Sequence, residues 1–136
     1  MAIDLQPSLS RILIRVSVQG KGDAEGEVFR HLAPITLNTL LRSMPINGRV
    51  NRFDNIFIYV ISGVVAGVEK TKKVFQRGDI AFLALNGAIC IFLKDSTVAK
   101  PMNPIGRITA GLEVLENTSP GDVLTIQQRV PSSPTP

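Results

Sequence analysis

The sequence predicts a mainly β fold: a closed barrel of about eight short strands capped by two short helices. Residues 12–18 alternate, with Ile12, Ile14, Val16 and Val18 on one side and Arg15 and Ser17 on the other, the period of a half-buried strand. Segments 80–85 and 88–93 flank Asn86-Gly87, the dipeptide that most favours a hairpin because its turn needs positive φ. Helical spacing is confined to two short stretches. Many short strands with two helices argue for a closed or nearly closed barrel capped by the helices.

The first strand runs into Gly20-Lys21-Gly22-Asp23, a turn cluster, and residues 25–30 return as its hairpin partner. Leu37, Leu40, Leu41 and Met44 then fall at i, i+3, i+4 and i+7, one face of an amphipathic helix. Pro34 suits its first turn, and Pro45 ends it. Asn47-Gly48 reads as a turn and residues 55–61 as a β-branched and aromatic strand. A polar interval, 69–78, leads to the hairpin already described. Pro101 and Pro104 mark 94–104 as loop; 105–109 is a short strand, 112–117 a helical turn and 123–129 the closing strand.

The chain has 136 residues, the size of one domain, and no internal repeat. The expected organisation is a flexible segment 1–10, a barrel domain 11–130 and a disordered tail 131–136, which reads PSSPTP. Hydrophobic content is 44% and mean hydropathy +0.20, yet the longest apolar run, 56–68, is broken by Tyr59, Ser62, Gly63 and Gly67. That run falls short of the about 20 residues that span a bilayer, and no secretion signal is recognisable at the N-terminus, so the expectation is a cytoplasmic protein with no membrane partner. Net charge is +4, and the basic run Lys70, Lys72, Lys73 and Arg77 reads as a solvated face. With few aromatics to stack bases, nucleic-acid binding is disfavoured.

No metal or cofactor is expected. Cys90 is the single cysteine, placed in an apolar strand as a buried thiol, and no clustered Cys/His pattern exists for zinc. His31, at the entry to the helix, reads as a surface or capping residue. Gly20 and Gly22 lack the Gly-Lys-Ser/Thr ending of a phosphate loop, and no serine lies in a Gly-x-Ser-x-Gly elbow. Asp79 and Asp122 each follow a glycine before a strand, the pattern of turn chemistry rather than of a carboxylate dyad.

Two segments carry a family resemblance. Residues 26–41, GEVFRHLAPITLNTLL, resemble the strand-to-helix passage of cyclophilins, in which Ala-Pro-x-Thr precedes the first helix; Ala33, Pro34 and Thr36 hold those places. Residues 78–126 resemble the C-terminal half, in which a Gly-Ser-Gln-Phe-Phe-Ile strand leads through a loop to Val-Phe-Gly-Lys-Val-x-x-Gly-x-x-Val-Val. The chain resembles most the compact cyclophilin-like microbial proteins, a family of uncharacterised function. The resemblance implies a cyclophilin-like barrel with a ligand groove.

In prolyl isomerases of this superfamily the segment Phe-His-Arg-Val-Ile supplies an arginine that binds the prolyl carbonyl. Here the matching segment is Phe57-Ile58-Tyr59-Val60-Ile61, with Tyr59 at the arginine place. A phenol offers one donor and no charge where a guanidinium has five donors and a permanent charge. On the same overlay Ile89 takes the glutamine place and Ile91 the proline-pocket phenylalanine. The family's tryptophan and histidine have no counterpart. The resemblance therefore implies a groove lined by Tyr59, Ile89 and Ile91 that binds a peptide segment or small apolar ligand, with no catalytic residue retained and no efficient isomerase activity. The alternatives are a divergent peptidyl-prolyl cis-trans isomerase and an interaction domain without ligand. An exposed apolar patch there would also allow a homodimer. An arginine such as Arg49 or Arg52 reaching the groove would favour the isomerase.

Overall fold

The computed structural model describes residues 10–129, so the expected flexible ends lie outside it apart from Ser10. The chain opens with the hairpin β1 (Arg11–Val18) and β2 (Gly22–Phe29), paired from Arg11↔Phe29 to Val18↔Gly22. Alternation holds along β1: Ile12, Ile14, Val16 and Val18 are all buried. Helix α1 (Pro34–Ser43) follows, with its proline in the first turn, and sets Leu37 and Leu40 into the core with Leu41 and Met44 packed at its edge.

The chain then runs through β3 (Ile46–Arg49), β4 (Asn51–Phe53), β5 (Phe57–Ile61) and β6 (Lys72–Phe75). Strands β7 (Asp79–Leu83), β8 (Ala88–Phe92) and β9 (Ser96–Ala110) precede α2 (Leu112–Glu116) and β10 (Val123–Gln128). All the pairings are antiparallel, in the order β3-β10-β1-β2-β9-β7-β8-β5-β4, with β6 joined to β9 off this path.

The fold is mainly β with two short helices, as the sequence predicts, but it differs from the expectation in several places. Ten strands are present among the described residues rather than about eight. No ladder joins the end strands β3 and β4, so the sheet is not hydrogen-bonded into a closed barrel; its two edges are successive segments of chain on either side of buried Val50. Asn47-Gly48 is not a turn: it lies within β3, opposite Thr125 and Leu124 of β10. A Cβ on Gly48 would lie 3.0 Å from Cβ of Val60, so this glycine serves close approach of β3 to β5 rather than a bend.

The segment 94–104, read as loop from its prolines, is largely the first half of β9, and the polar interval 69–78 contains β6. Both prolines sit where pairing is irregular. Pro101 falls in the break of the β6 ladder, between Met102↔Lys72 and Thr97↔Val74, and Pro104 faces Ala81 at a register shift in the β7 ladder. Proline is tolerated at such bulges because no ladder bond is lost. The β7–β8 hairpin forms, but not through the expected two-residue Asn86-Gly87 turn with positive φ at both positions: four residues, 84–87, connect the strands, and Gly87 alone takes positive φ, 74°. Its N–H closes the turn on the Leu83 carbonyl at 2.9 Å.

The buried side chains fall into two clusters. The larger lies inside the curled sheet and takes Leu37 and Leu40 from α1, Leu115 from α2, and Ile58, Val60, Ile80, Phe82, Ile89 and Ile91 from the strands. The smaller lies on the other face of β5, β7 and β8, where Phe57, Ala81, Ala88, Cys90 and Phe92 meet Phe75 of β6 and Met102 of β9. Strand β8 is thus buried on both faces, which makes all five of its residues apolar.

Across the mouth of the curled sheet, residues 62–71 run without regular structure and are tied down by polar groups. Asn103, fully buried, donates to the Gly67 carbonyl (3.0 Å) and to Thr36 Oγ1 (3.2 Å) and accepts the Glu69 N–H (2.8 Å). Glu69 in turn caps α1, accepting from the N–H groups of Ile35 (3.3 Å) and Thr36 (2.7 Å), which replaces the side-chain cap that Ala33 cannot give. Burial raises the Glu69 carboxyl, but these hydrogen bonds outweigh it and leave the group below its ordinary value.

Candidate functional site

The second cluster does not close completely. Beyond Phe75, strand β9 swings away with the extra residues 98–101 that have no partner in β6, and between this arm and β5 lies a groove of about 460 Å³. Its floor is Ala88 and Cys90 of β8 with Leu83 of β7. One wall is aromatic, Phe53, Phe57 and Tyr59, and the other is Val98, Lys100 and Met102 of β9. Small residues in the floor leave the depth, and bulky ones at either side make the walls.

The aromatic wall is a connected stack. Phe53, 53% exposed at the mouth, stacks on Phe57 with ring centres 5.1 Å apart; Phe57 tilts against Tyr59 (5.9 Å) and Phe92 (5.1 Å); and Phe92 stacks on Phe75 (4.6 Å). Such offset and tilted pairs are favourable geometries for aromatic rings and give the wall a defined shape.

Of the three residues the overlay places in the groove, the structure brings one there. Tyr59 lines it, half-buried. Ile89 and Ile91 are 3% and 2% exposed inside the sheet, on the opposite face of β8. The register explains the difference: Tyr59 stands directly across from Cys90, so these two share a face, whereas Ile89 and Ile91 pair with Val60 and Ile58, which point into the core. Cys90 is 1% exposed and lies with Ala88 and Phe92, the grouping that alternation gives, but that side is the floor of the groove. Burial pushes its thiol up to about 12, an inert group at neutral pH.

No arginine enters. Arg49 donates to the Gly121 carbonyl at 2.9 Å, and Arg52 to the carbonyls of Thr118 (2.9 Å) and Glu116 (3.3 Å) at the end of α2. Arg52 is held there because it pairs across from Ile58, on the core side of β5, while its neighbours Asn51 and Phe53 fall on the groove side with Tyr59 and Phe57. The sequence reading missed Phe53, Leu83, Asn86, Lys100 and Met102 as lining residues. Asn86 carried a signal as part of the Asn-Gly turn, and Phe53 as the first residue of Phe53-Asp54-Asn55, which stands where prolyl isomerases of the superfamily have Tyr-Asp-Gly.

The other polar candidates are structural. His31 Nδ1 lies 2.7 Å from Ser10 Oγ. Asp79 and Asp122 accept from the N–H groups of Gln76 and Ser119, both at 2.8 Å, as turn residues, and Asp122 also pairs with Lys21 at 2.9 Å. Glu27, 5% exposed, is clamped by Arg11 (2.6 Å) and Arg107 (2.8 Å). No group of three or more His, Cys, Asp or Glu side chains that could hold a metal exists among the described residues, nor does a helix long and apolar enough to cross a membrane.

A family model covers nearly all of this fold: the cyclophilin-like model matches residues 12–127. The chain belongs to the cyclophilin-like family. Among solved structures it is similar to a hypothetical protein of Archaeoglobus fulgidus, at 24% identity and TM-score 0.74 over 88% of this chain and 96% of that one. It is also similar to a cyclophilin-type peptidyl-prolyl cis-trans isomerase of Cryptosporidium parvum, at 15% identity and TM-score 0.66 over 91% of this chain and 99% of that one. At these identities the likeness is one of fold. No curated protein sequence matches the chain.

Proposed function

We propose that this cyclophilin-like domain is a binding module whose outer groove takes an apolar peptide segment or a small apolar ligand, without efficient prolyl isomerase activity. The observation that carries the reading is the groove itself: an aromatic wall and small-residue floor on the outside of the sheet, with Tyr59 in it and both nearby arginines held elsewhere. A concave, mostly apolar site with a few polar groups is the usual form of a small-ligand or peptide pocket. Lowering the rotation barrier of ~18–20 kcal/mol calls for a strong donor or charge at the prolyl amide, and the phenol of Tyr59 supplies one neutral donor.

The neighbour from Cryptosporidium parvum is described as an isomerase, and that description supports the alternative of a divergent isomerase at the level of fold alone. Two measurements separate the readings. In a protease-coupled assay with a proline-containing peptide, the domain should not exceed the uncatalysed rate by more than a small factor. In an amide NMR titration the same peptide, or a small aromatic ligand, should shift the resonances of β5, β8 and the first half of β9. Strong turnover abolished by Tyr59→Ala would establish the isomerase, whereas a dimer that dissociates on ligand addition would show that a second copy fills the groove.

A further inference from the structure

The groove's polar chemistry is one-sided. None of its lining residues is Asp or Glu, and one of them, Lys100, is a cation. Lys100 makes no ion pair among the described residues, as is also true of Lys70, Lys72, Lys73 and Lys94, but of these it alone lines the groove. Asn86 commits its Oδ1 to the Ala88 N–H at 3.1 Å, which leaves its NH₂ donors unengaged. The Tyr59 hydroxyl has no hydrogen bond to another described residue. Around an apolar floor, therefore, the free polar valence consists of an ammonium, an amide NH₂ and the hydroxyls of Tyr59 and of exposed Thr97, still with donors in excess of acceptors.

A ligand that satisfies this rim has an apolar body and an acceptor-rich, negatively charged head. One cation with neutral donors matches a singly charged group; a phosphate, with up to two charges, draws guanidiniums or several convergent backbone N–H groups beside any lysine, and the lining supplies no arginine and a single lysine. We propose that the groove selects amphipathic carboxylates, with an aryl or alkyl chain against Phe57, Leu83 and Met102 and the carboxylate toward Lys100. This rests on the ligand-groove reading above and names the class of ligand. A free carboxylic acid and the C-terminus of a peptide offer the same chemistry.

The test is a pair of matched titrations followed by NMR and calorimetry. The free-acid pair is 4-phenylbutyrate and 4-phenylbutyramide; the peptide pair is a short acetylated peptide ending in Leu-Phe, as carboxylate and as amide. For a partly solvated ion pair the carboxylate of at least one pair should bind about fivefold tighter than its amide, and that ratio should fall toward one in Lys100→Gln and at high salt. Lys100→Arg should retain it, and circular dichroism checks that each variant is folded. Preference in the first pair alone points to a free acid, and in the second alone to a chain terminus. Equal binding of acid and amide in both pairs overturns the carboxylate inference and leaves the groove reading standing, as does a preference that survives Lys100→Gln. Failure of all four compounds to shift any groove resonance overturns both.

Discussion

The floor of the groove contains a chemical reporter. Cys90 is 1% exposed, and burial moves its thiol from 9.0 to about 12. Because the thiolate is the nucleophile, a shift of about three units lowers the reactive fraction roughly a thousandfold at any pH well below 9, relative to the same cysteine in the unfolded chain. Occlusion by Tyr59 and Met102 in the same cluster slows attack further. The assay is the release of chromophore from an aromatic disulfide reagent at pH 8, with and without denaturant. Native labelling should be slower than denatured labelling by about two to three orders of magnitude, the lost ionised fraction being offset in part by the greater nucleophilicity of a high-pKa thiolate. Its rate should also keep rising about tenfold per pH unit past the point at which the denatured thiol has fully ionised. A groove ligand should slow it again. Native labelling within tenfold of the denatured rate would refute the placement of Cys90 beneath the groove, and with it the Tyr59↔Cys90 register on which the groove's composition rests.

Ile91→Ala should destabilise the domain by about 2–5 kcal/mol in urea unfolding, since the side chain is almost fully enclosed, while Leu85→Ser, at 70% exposure on the hairpin tip, should change it by less than about 0.5 kcal/mol. Equal stability of the two variants would count against burial of Ile91. Glu27→Gln should cost about 1–3 kcal/mol at neutral pH, toward the lower end because Arg11 and Arg107 are 44% and 63% exposed and can turn to water. Burial raises the Glu27 carboxyl, but hydrogen bonds from both arginines bring it below its ordinary 4.5, so its stabilisation is fully present above pH 4.5 and is lost as pH falls through the lowered folded value. The difference between wild type and Glu27→Gln in urea midpoints should therefore shrink on acidification below pH 4.5, and a difference that grows there would contradict the clamp.

Local signals were legible where each strand has one wet face. The alternation of Ile12, Ile14, Val16 and Val18 gave β1 its inner face, and the Leu37, Leu40 spacing gave α1 its core side. Prolines misled in 94–104 because they were weighed as breakers without the partners that show where β9 can tolerate them: Pro101 meets no ladder residue, and Pro104 sits at a bulge. Asn47-Gly48 misled for a related reason. The same dipeptide that makes a turn at Asn86-Gly87 serves in β3 to let one strand approach another, and only tertiary contact with Val60 tells them apart.

The groove was half legible, and the missing half was a matter of pairing. Period two says that Ile89 and Ile91 face one way and Cys90 the other; it does not say which way is out when Ala88 through Phe92 are all apolar. The cue that decides it lies on the neighbouring strand, where Tyr59 alternates with Ile58 and Val60 and carries the hydroxyl that a dry core would have to satisfy. A tyrosine paired directly across from cysteine fixes the outer face of both strands, and the apolar residues beside them fall inside. On that face the small side chains of Ala88 and Cys90 are what leave a cavity, so the binding proposed above would depend on the volume those residues do not fill as much as on the aromatic wall. Enlarging Ala88 should therefore abolish ligand binding more completely than truncating any one ring, because it removes the space that every ligand must share.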